Sequence, residues 1–230
     1  MSEPPLISLR GITRVYGEGQ AEVKALAGID LDIEQGEFVA VMGPSGCGKS
    51  TAMNVMGCLD RPTDGTYTFM GTDITGLDNN ARALFRRHYL GFVFQGFNLL
   101  ARTTALENVE LPLIYRGMPA AQRHDRASEA LKLVGLEGRE SHVPSALSGG
   151  QQQRVAIARA IVSGPMVLLA DEPTGNLDST RSHDIMKLLK SLNEENGITI
   201  AMVTHEPDMA AYATRQIHFT DGLIDSETRN

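Results

Sequence analysis

The clearest pattern in the chain is a series of short apolar stretches separated by polar ones. Residues 29–33 alternate strictly, with Ile29, Leu31 and Ile33 flanking Asp30 and Asp32. A period of two predicts a strand with one buried face. Residues 7–9 read as an earlier strand, and 66–70 and 91–94 as later short ones. Three segments, 38–42 (FVAVM), 166–170 (MVLLA) and 198–203 (ITIAMV), are almost continuously apolar. Runs this short and unbroken predict strands buried on both faces, as in a parallel sheet. Between them the period changes. Residues 49–59 have helical spacing, and at 180–193 Ile185, Leu188, Leu189 and Leu192 share one face of an amphipathic helix. Pro207 opens a further helix over 207–213, and a strand at 216–219 with the Asp221-Gly222 turn closes the pattern.

From about residue 96 to 160 strand signals vanish. Residues 105–115 and 120–134 read as helices, with 121–125 polar and solvated. Strands that alternate with helices predict a largely parallel sheet covered on both faces. The 96–160 stretch is then a helical lobe inserted in one α/β domain that spans residues 1–230.

Composition narrows the picture. No apolar run approaches the roughly 18–20 residues that span a bilayer, and the N-terminus has no basic-then-apolar leader. A cytosolic chain is expected. The net charge of −7 argues against nucleic acid as a partner. Cys47 and Cys58 are the only cysteines, too few for a disulfide framework. Cys58 is expected to pack beside Met53, Val55 and Met56. Cys47 lies in a glycine-rich loop and is expected to be oxidisable if its thiolate is accessible.

That loop, residues 43–50 (GPSGCGKS), fits G-x-x-x-x-G-K-[ST] between a predicted strand and a predicted helix. Gly43, Pro44, Ser45, Gly46, Cys47 and Gly48 supply a backbone able to turn its N–H groups toward phosphate oxygens. The following helix, starting at Lys49, Ser50 and Thr51, points its positive end at the same anions. Lys49 adds charge for the β- and γ-phosphates of ATP, and the Ser50 hydroxyl suits Mg2+, which prefers oxygen ligands. Residues 166–172 (MVLLADE) end a buried strand in two carboxylates. Asp171 is placed to hold Mg2+, and Glu172 to polarise water as a general base. A second glycine-rich turn, 147–151 (LSGGQ), also precedes a helix. One phosphate loop already cradles one triphosphate, so the economical use of this second helix start is to cap the γ-phosphate held by another copy.

Over nearly its whole length the sequence resembles the nucleotide-binding subunits of ABC transporters. The resemblance implies an α/β P-loop NTPase fold: a RecA-like, mostly parallel sheet core, an N-terminal antiparallel β region and the inserted α-helical subdomain. It implies further roles. Tyr16 corresponds to the aromatic that stacks on adenine. Gln95 corresponds to the residue that touches Mg2+ and water and reports to the membrane subunit. Asp178 corresponds to the acid that crosses the dimer interface, and His205 to the switch histidine on the γ-phosphate. Ser148, Gly149, Gly150 and Gln151 correspond to the signature that completes the partner copy's site. Asn176 stands where many ABC ATPases carry Ser or Ala.

Residues 57–65 (GCLDRPTDG), 90–100 (LGFVFQGFNLL), 107–115 (ENVELPLIY), 147–160 and 203–210 (VTHEPDMA) look like one bacterial group. It holds the macrolide-exporter and lipoprotein-releasing ATPases. The implied partners are a second copy of the chain, a permease and periplasmic components. The implied location is the cytoplasmic face of the inner membrane. With the sequence ending at Asn230 the permease is expected as a separate polypeptide. A soluble ABC ATPase of repair or translation is the alternative. No coiled-coil insertion and no second cassette support it. A kinase or GTPase would not need LSGGQ, and no N-K-x-D guanine reader is present.

Overall fold

A computed structural model describes residues 4–229. Strands β1 (Ile7–Tyr16) and β2 (Val23–Ile33) lead to β3 (Phe38–Met42), helix α1 (Lys49–Met56), β4 (Asp64–Phe69), the two-residue β5 (Thr72–Asp73), α2 (Asn79–Tyr89) and β6 (Leu90–Phe94). Three helices follow: α3 (Ala105–Tyr115), α4 (Ala120–Leu133) and α5 (Gly149–Ile161). The chain then runs through β7 (Val167–Asp171), α6 (Ser179–Asn196), β8 (Thr199–Val203), the single turn α7 (Pro207–Ala210), β9 (Arg215–Thr220) and β10 (Leu223–Arg229).

The larger sheet has the order β10-β9-β3-β8-β7-β6, and all its pairings are parallel except the β9–β10 hairpin. The smaller sheet, β2-β1-β4-β5, is antiparallel. The unbroken apolar strands have a simple cause. In β3, Phe38, Ala40 and Met42 face a core shared with α3–α6, while Val39 and Val41 face α1 and the antiparallel sheet. Both sides of each pleat are covered, so neither parity carries polar residues. The helices α3, α4 and α5 pack on one another, and Leu113, Leu131 and Val155 are fully buried there. Truncation of such a leucine to Ala costs about 2–5 kcal/mol.

Several bounds differ from the periodic reading. Strands β1 and β2 are longer than the segments at 7–9 and 29–33. Register shifts beside Ile12 and Arg14 interrupt their alternation, and polar residues face solvent. Helix α1 stops at Met56, because Gly57 caps it and Cys58 takes a left-handed φ of 50°. Helix α7 is one turn where 207–213 was expected. Helix α2 has no counterpart in the apolar pattern, since Phe85 is its one buried residue and Asp78 caps its start.

Candidate functional site

The phosphate loop leaves the C-terminal end of β3, and α1 begins directly after it. Two of its glycines are obligatory. Gly43 has φ 143° and its Cβ would run into the carbonyl of Phe219; Gly48 has φ 103° and would strike the carbonyl of Ala25. A side chain is disfavoured at both on backbone and steric grounds. Lys49 is only 7% exposed. Its ammonium donates to the carbonyls of Gly43 (2.8 Å) and Pro44 (2.7 Å), so it lies folded along its own loop. A cleft of about 490 Å3 opens above, lined by Ala25, Gly43–Gly46, Gly48–Thr51, Glu172 and His205. Cys47 is not in that wall. Its side chain is 3% exposed and sits 3.8 Å from the Lys49 ammonium, so the thiol is not an accessible target for oxidation. Cys58 is buried as expected, and burial pushes its thiol up to about 11.

Sheet order brings the acidic strand end to this loop. The pairing of β7 with β8 sets Asp171 opposite Val203, so the two strand ends lie level. The Ser50 hydroxyl and the Lys49 ammonium are near enough to Asp171 to favour its charged form. Burial and the neighbouring Glu172 charge hold the Asp171 carboxyl above the ordinary carboxylate range, against the pull of Ser50 and Lys49. Glu172 has φ 46°, and its N–H donates to the carbonyl of Val203 at 3.0 Å. A non-glycine residue held there stores about 1–3 kcal/mol of strain, a feature common at functional sites. The strain turns the carboxylate into the cleft, where its Oε1 lies 3.1 Å from Nδ1 of His205.

The other sequence-identified residues lie outside the cleft wall. Gln95 follows β6 and packs against Gly175; a Cβ on Gly175 would stand 2.7 Å from Gln95 Nε2. Asn176 Nδ2 donates to the Gln95 carbonyl at 2.8 Å. Asp178 caps α6, accepting from Arg181 N at 3.0 Å and pairing with the Arg181 guanidinium at 3.1 Å. Ser148 and Gln151 form a reciprocal capping box on α5, with Gly149 and Gly150 in its first turn. Tyr16 ends β1, partly exposed, with its hydroxyl bonded to Asp60.

Sequence reading missed four contributors. Ala25 has no chemistry to flag it. Asp60 lay unremarked within GCLDRPTDG, and Arg14 within β1. Arg159, in α5, donates to the carbonyls of Phe97 (2.9 Å) and Asn98 (2.6 Å) just beyond Gln95.

A strand, a glycine-rich loop and a helix at the C-terminal ends of a mostly parallel sheet, with a carboxylate pair at the end of β7, one strand removed from β3, define a P-loop nucleotide-binding domain. The chain belongs to the ABC transporter family, which matches residues 26–175. It is 54% identical over 228 residues to the macrolide export ATP-binding/permease protein MacB of Marinobacter nauticus, covering 99% of this chain and 35% of that protein. It is 52% identical over 223 residues to the pyoverdine export ATP-binding/permease protein PvdT of Pseudomonas fluorescens, covering 96% and 34%. The chain thus spans about a third of the length of these curated relatives. Among solved structures it is similar to the ATP-binding cassette MJ0796, determined as a dimer in a post-hydrolysis state bound to ADP and Pi. Identity there is 47% and the TM-score 0.89, over 97% of this chain and 98% of that one. CbiO1 of Clostridium perfringens, part of the ABC transporter complex CbiONQ, aligns with a TM-score of 0.89 at 30% identity, over 99% and 89%.

Proposed function

We propose that this chain is an ATP-hydrolysing cassette that works as a head-to-tail dimer and powers a membrane permease of the export type. The observation that carries the reading is the convergence of the phosphate loop, Glu172 and His205 on one cleft. The N–H groups of residues 43–48 and the N-terminus of α1 receive the phosphates. Lys49 exchanges its bonds to Gly43 and Pro44 for the β- and γ-phosphate oxygens. Glu172 takes a proton from the attacking water, while His205 orients that carboxylate and contacts the γ-phosphate. The oxygen donors Ser50 and Asp171, close enough to interact, fit Mg2+, and Gln95 extends the set. When bound, that ion neutralises charge on the phosphate oxygens.

The capped starts of α5 (Ser148, Gly149, Gly150, Gln151) and α6 (Asp178) lie outside their own chain's cleft. That supports their use on a second copy's nucleotide, as does the dimeric state of the similar MJ0796 cassette. Among the described residues no helix is long and apolar enough to cross a membrane. In this reading the chain meets the membrane through a permease, at the cytoplasmic face. A largely apolar groove of about 530 Å3 between the α/β core and the helical lobe supports that docking; Leu59, Phe92, Phe94, Leu111 and Tyr115 line it.

Glu172→Gln tests the chemistry. The variant is expected to bind ATP, to form a dimer with ATP and to hydrolyse it at least 100-fold more slowly, by roughly the factor a general base supplies. Normal turnover by this variant removes Glu172 as the base.

A further inference from the structure

Tyr16 lies at the end of a strand with 39% of its surface exposed, a position where an aromatic ring would ordinarily sample several rotamers. Here its freedom is removed from two sides. The Tyr16 hydroxyl donates to Asp60 Oδ2 at 2.6 Å. The guanidinium of Arg14 lies over the ring, 4.4 Å from its centroid, and donates from Nε to the same carboxylate oxygen at 2.9 Å. One face of the ring is therefore covered by a cation, while 39% of the residue stays exposed.

Asp60 is itself held rigidly to the phosphate-binding helix. Leu59 N and Asp60 N both donate to the carbonyl of Asn54 in α1, at 2.9 and 3.1 Å. Arg86 of α2 donates to the carbonyl of Cys58 at 2.7 Å, which fixes the left-handed turn between them. Asp60 Oδ1 accepts from Arg61 N at 2.8 Å. The next residues are sewn to β1 as well: Thr63 N donates to Thr13 O at 2.8 Å, and Val15 N to Thr63 Oγ1 at 3.0 Å. Burial alone would push the Asp60 carboxyl up. The bonds from Tyr16, Arg61 N and Arg14 outweigh it and hold the group below the ordinary carboxylate range, so it is ionised at neutral pH. Partly exposed ion pairs contribute little to stability, so folding alone gives little reason for this three-residue cluster.

We propose that Asp60, with Arg14, is a positioning pair that fixes the Tyr16 ring as the platform for the nucleotide base. Because Asp60 hangs from the far end of α1, one helix sets both the phosphate cradle at its start and the ring at its end. The spacing between the two is built before ATP arrives, which removes an ordering cost from binding. The inference rests on the proposed stacking role of Tyr16.

The test is calorimetric binding of ATP and of inorganic tripolyphosphate, which lacks a base, to the whole chain. Asp60→Ala and Tyr16→Phe are each expected to weaken ATP binding about 3- to 10-fold, the range of one aromatic contact. Tripolyphosphate affinity should be unchanged in both. The double variant should be no weaker than the worse single one, and Asp60→Asn, which still accepts from the phenol, should restore affinity to within about twofold. If Tyr16→Ala weakens ATP binding but Asp60→Ala and Tyr16→Phe do not, the positioning role is overturned and stacking stands. If Tyr16→Ala leaves ATP binding intact, stacking falls and the pair's role with it. An equal loss for ATP and tripolyphosphate in Asp60→Ala overturns the proposal by exposing general damage to α1.

Discussion

Asn176 donates its side-chain amide to the backbone carbonyl of Gln95 at 2.8 Å, which ties the turn after β7 to the end of β6. A serine or alanine at position 176, as in many ABC ATPases, is too short to make this bond. The tie joins the segment leading to Asp178 with the residue proposed to report nucleotide state to the permease. Asn176→Ala should therefore loosen Gln95 without unfolding the chain. The expected stability loss is about 1 kcal/mol, the worth of one exposed hydrogen bond. ATP hydrolysis should fall about 3- to 10-fold, since small displacements of a positioning group carry costs of that order or more. Chemical denaturation and steady-state phosphate release measure the two effects separately.

Gly175→Ala should do the same by pushing instead of releasing. The added Cβ first meets the Gln95 side chain, 2.7 Å from Nε2, and a flexible amide can swing aside. The melting temperature is expected to change by no more than a few degrees while hydrolysis drops. Gly43→Ala is the contrasting case. Its Cβ meets the fixed Phe219 carbonyl at φ 143°. A loss of about 3 kcal/mol or more is expected there, read as a lower denaturation midpoint.

Arg159 secures the other side of the same loop. Phe97 and Asn98 both adopt left-handed backbone, with φ 59° and 51°, and Arg159 donates to both of their carbonyls. Burial pulls the guanidinium pKa down from its ordinary value. Arg159→Ala leaves the partly buried Phe97 carbonyl without its donor and releases the strained pair, at an expected cost of about 1–3 kcal/mol. Lysine replaces the charge but lacks the fork, so Arg159→Lys should recover only part of the loss in urea titrations.

Asp171→Asn should separate stability from function. In the folded chain burial and Glu172 raise the Asp171 pKa above its unfolded value of about 3.9. Between those two values the folded state holds more protons, so stability falls as pH rises through the window. The penalty is absent below the unfolded pKa and complete above the folded one. Asp171→Asn is thus expected to raise the urea midpoint at pH 8 in the absence of nucleotide, but not near pH 3, while abolishing Mg2+-dependent hydrolysis. A lower midpoint at pH 8 would contradict this account.

The phosphate loop was legible because its information is local: three glycines, a lysine and a helix start within eight residues. The buried strands were equally legible, since two-sided burial leaves no polar parity to misread. Helix α2 was not, because only Phe85 of its eleven residues is buried and an apolar pattern never forms. The full length of β1 was hidden by register shifts and by its exposed residues.

What the amino-acid order determined by itself was therefore the set of parts: the loop of residues 43–50, the acidic end of β7 and the glycine-rich start of α5. Each depends on backbone geometry over a handful of neighbouring residues. The tertiary structure decided which parts meet. The order β3-β8-β7 brings Lys49, His205 and Glu172 around one cleft. Side-chain bonds across 44 residues (Tyr16 to Asp60), 61 (Arg159 to Asn98) and 81 (Asn176 to Gln95) then fix the surrounding loops. Strand neighbours are chosen by how the whole chain buries its apolar faces, and no local pattern encodes that choice.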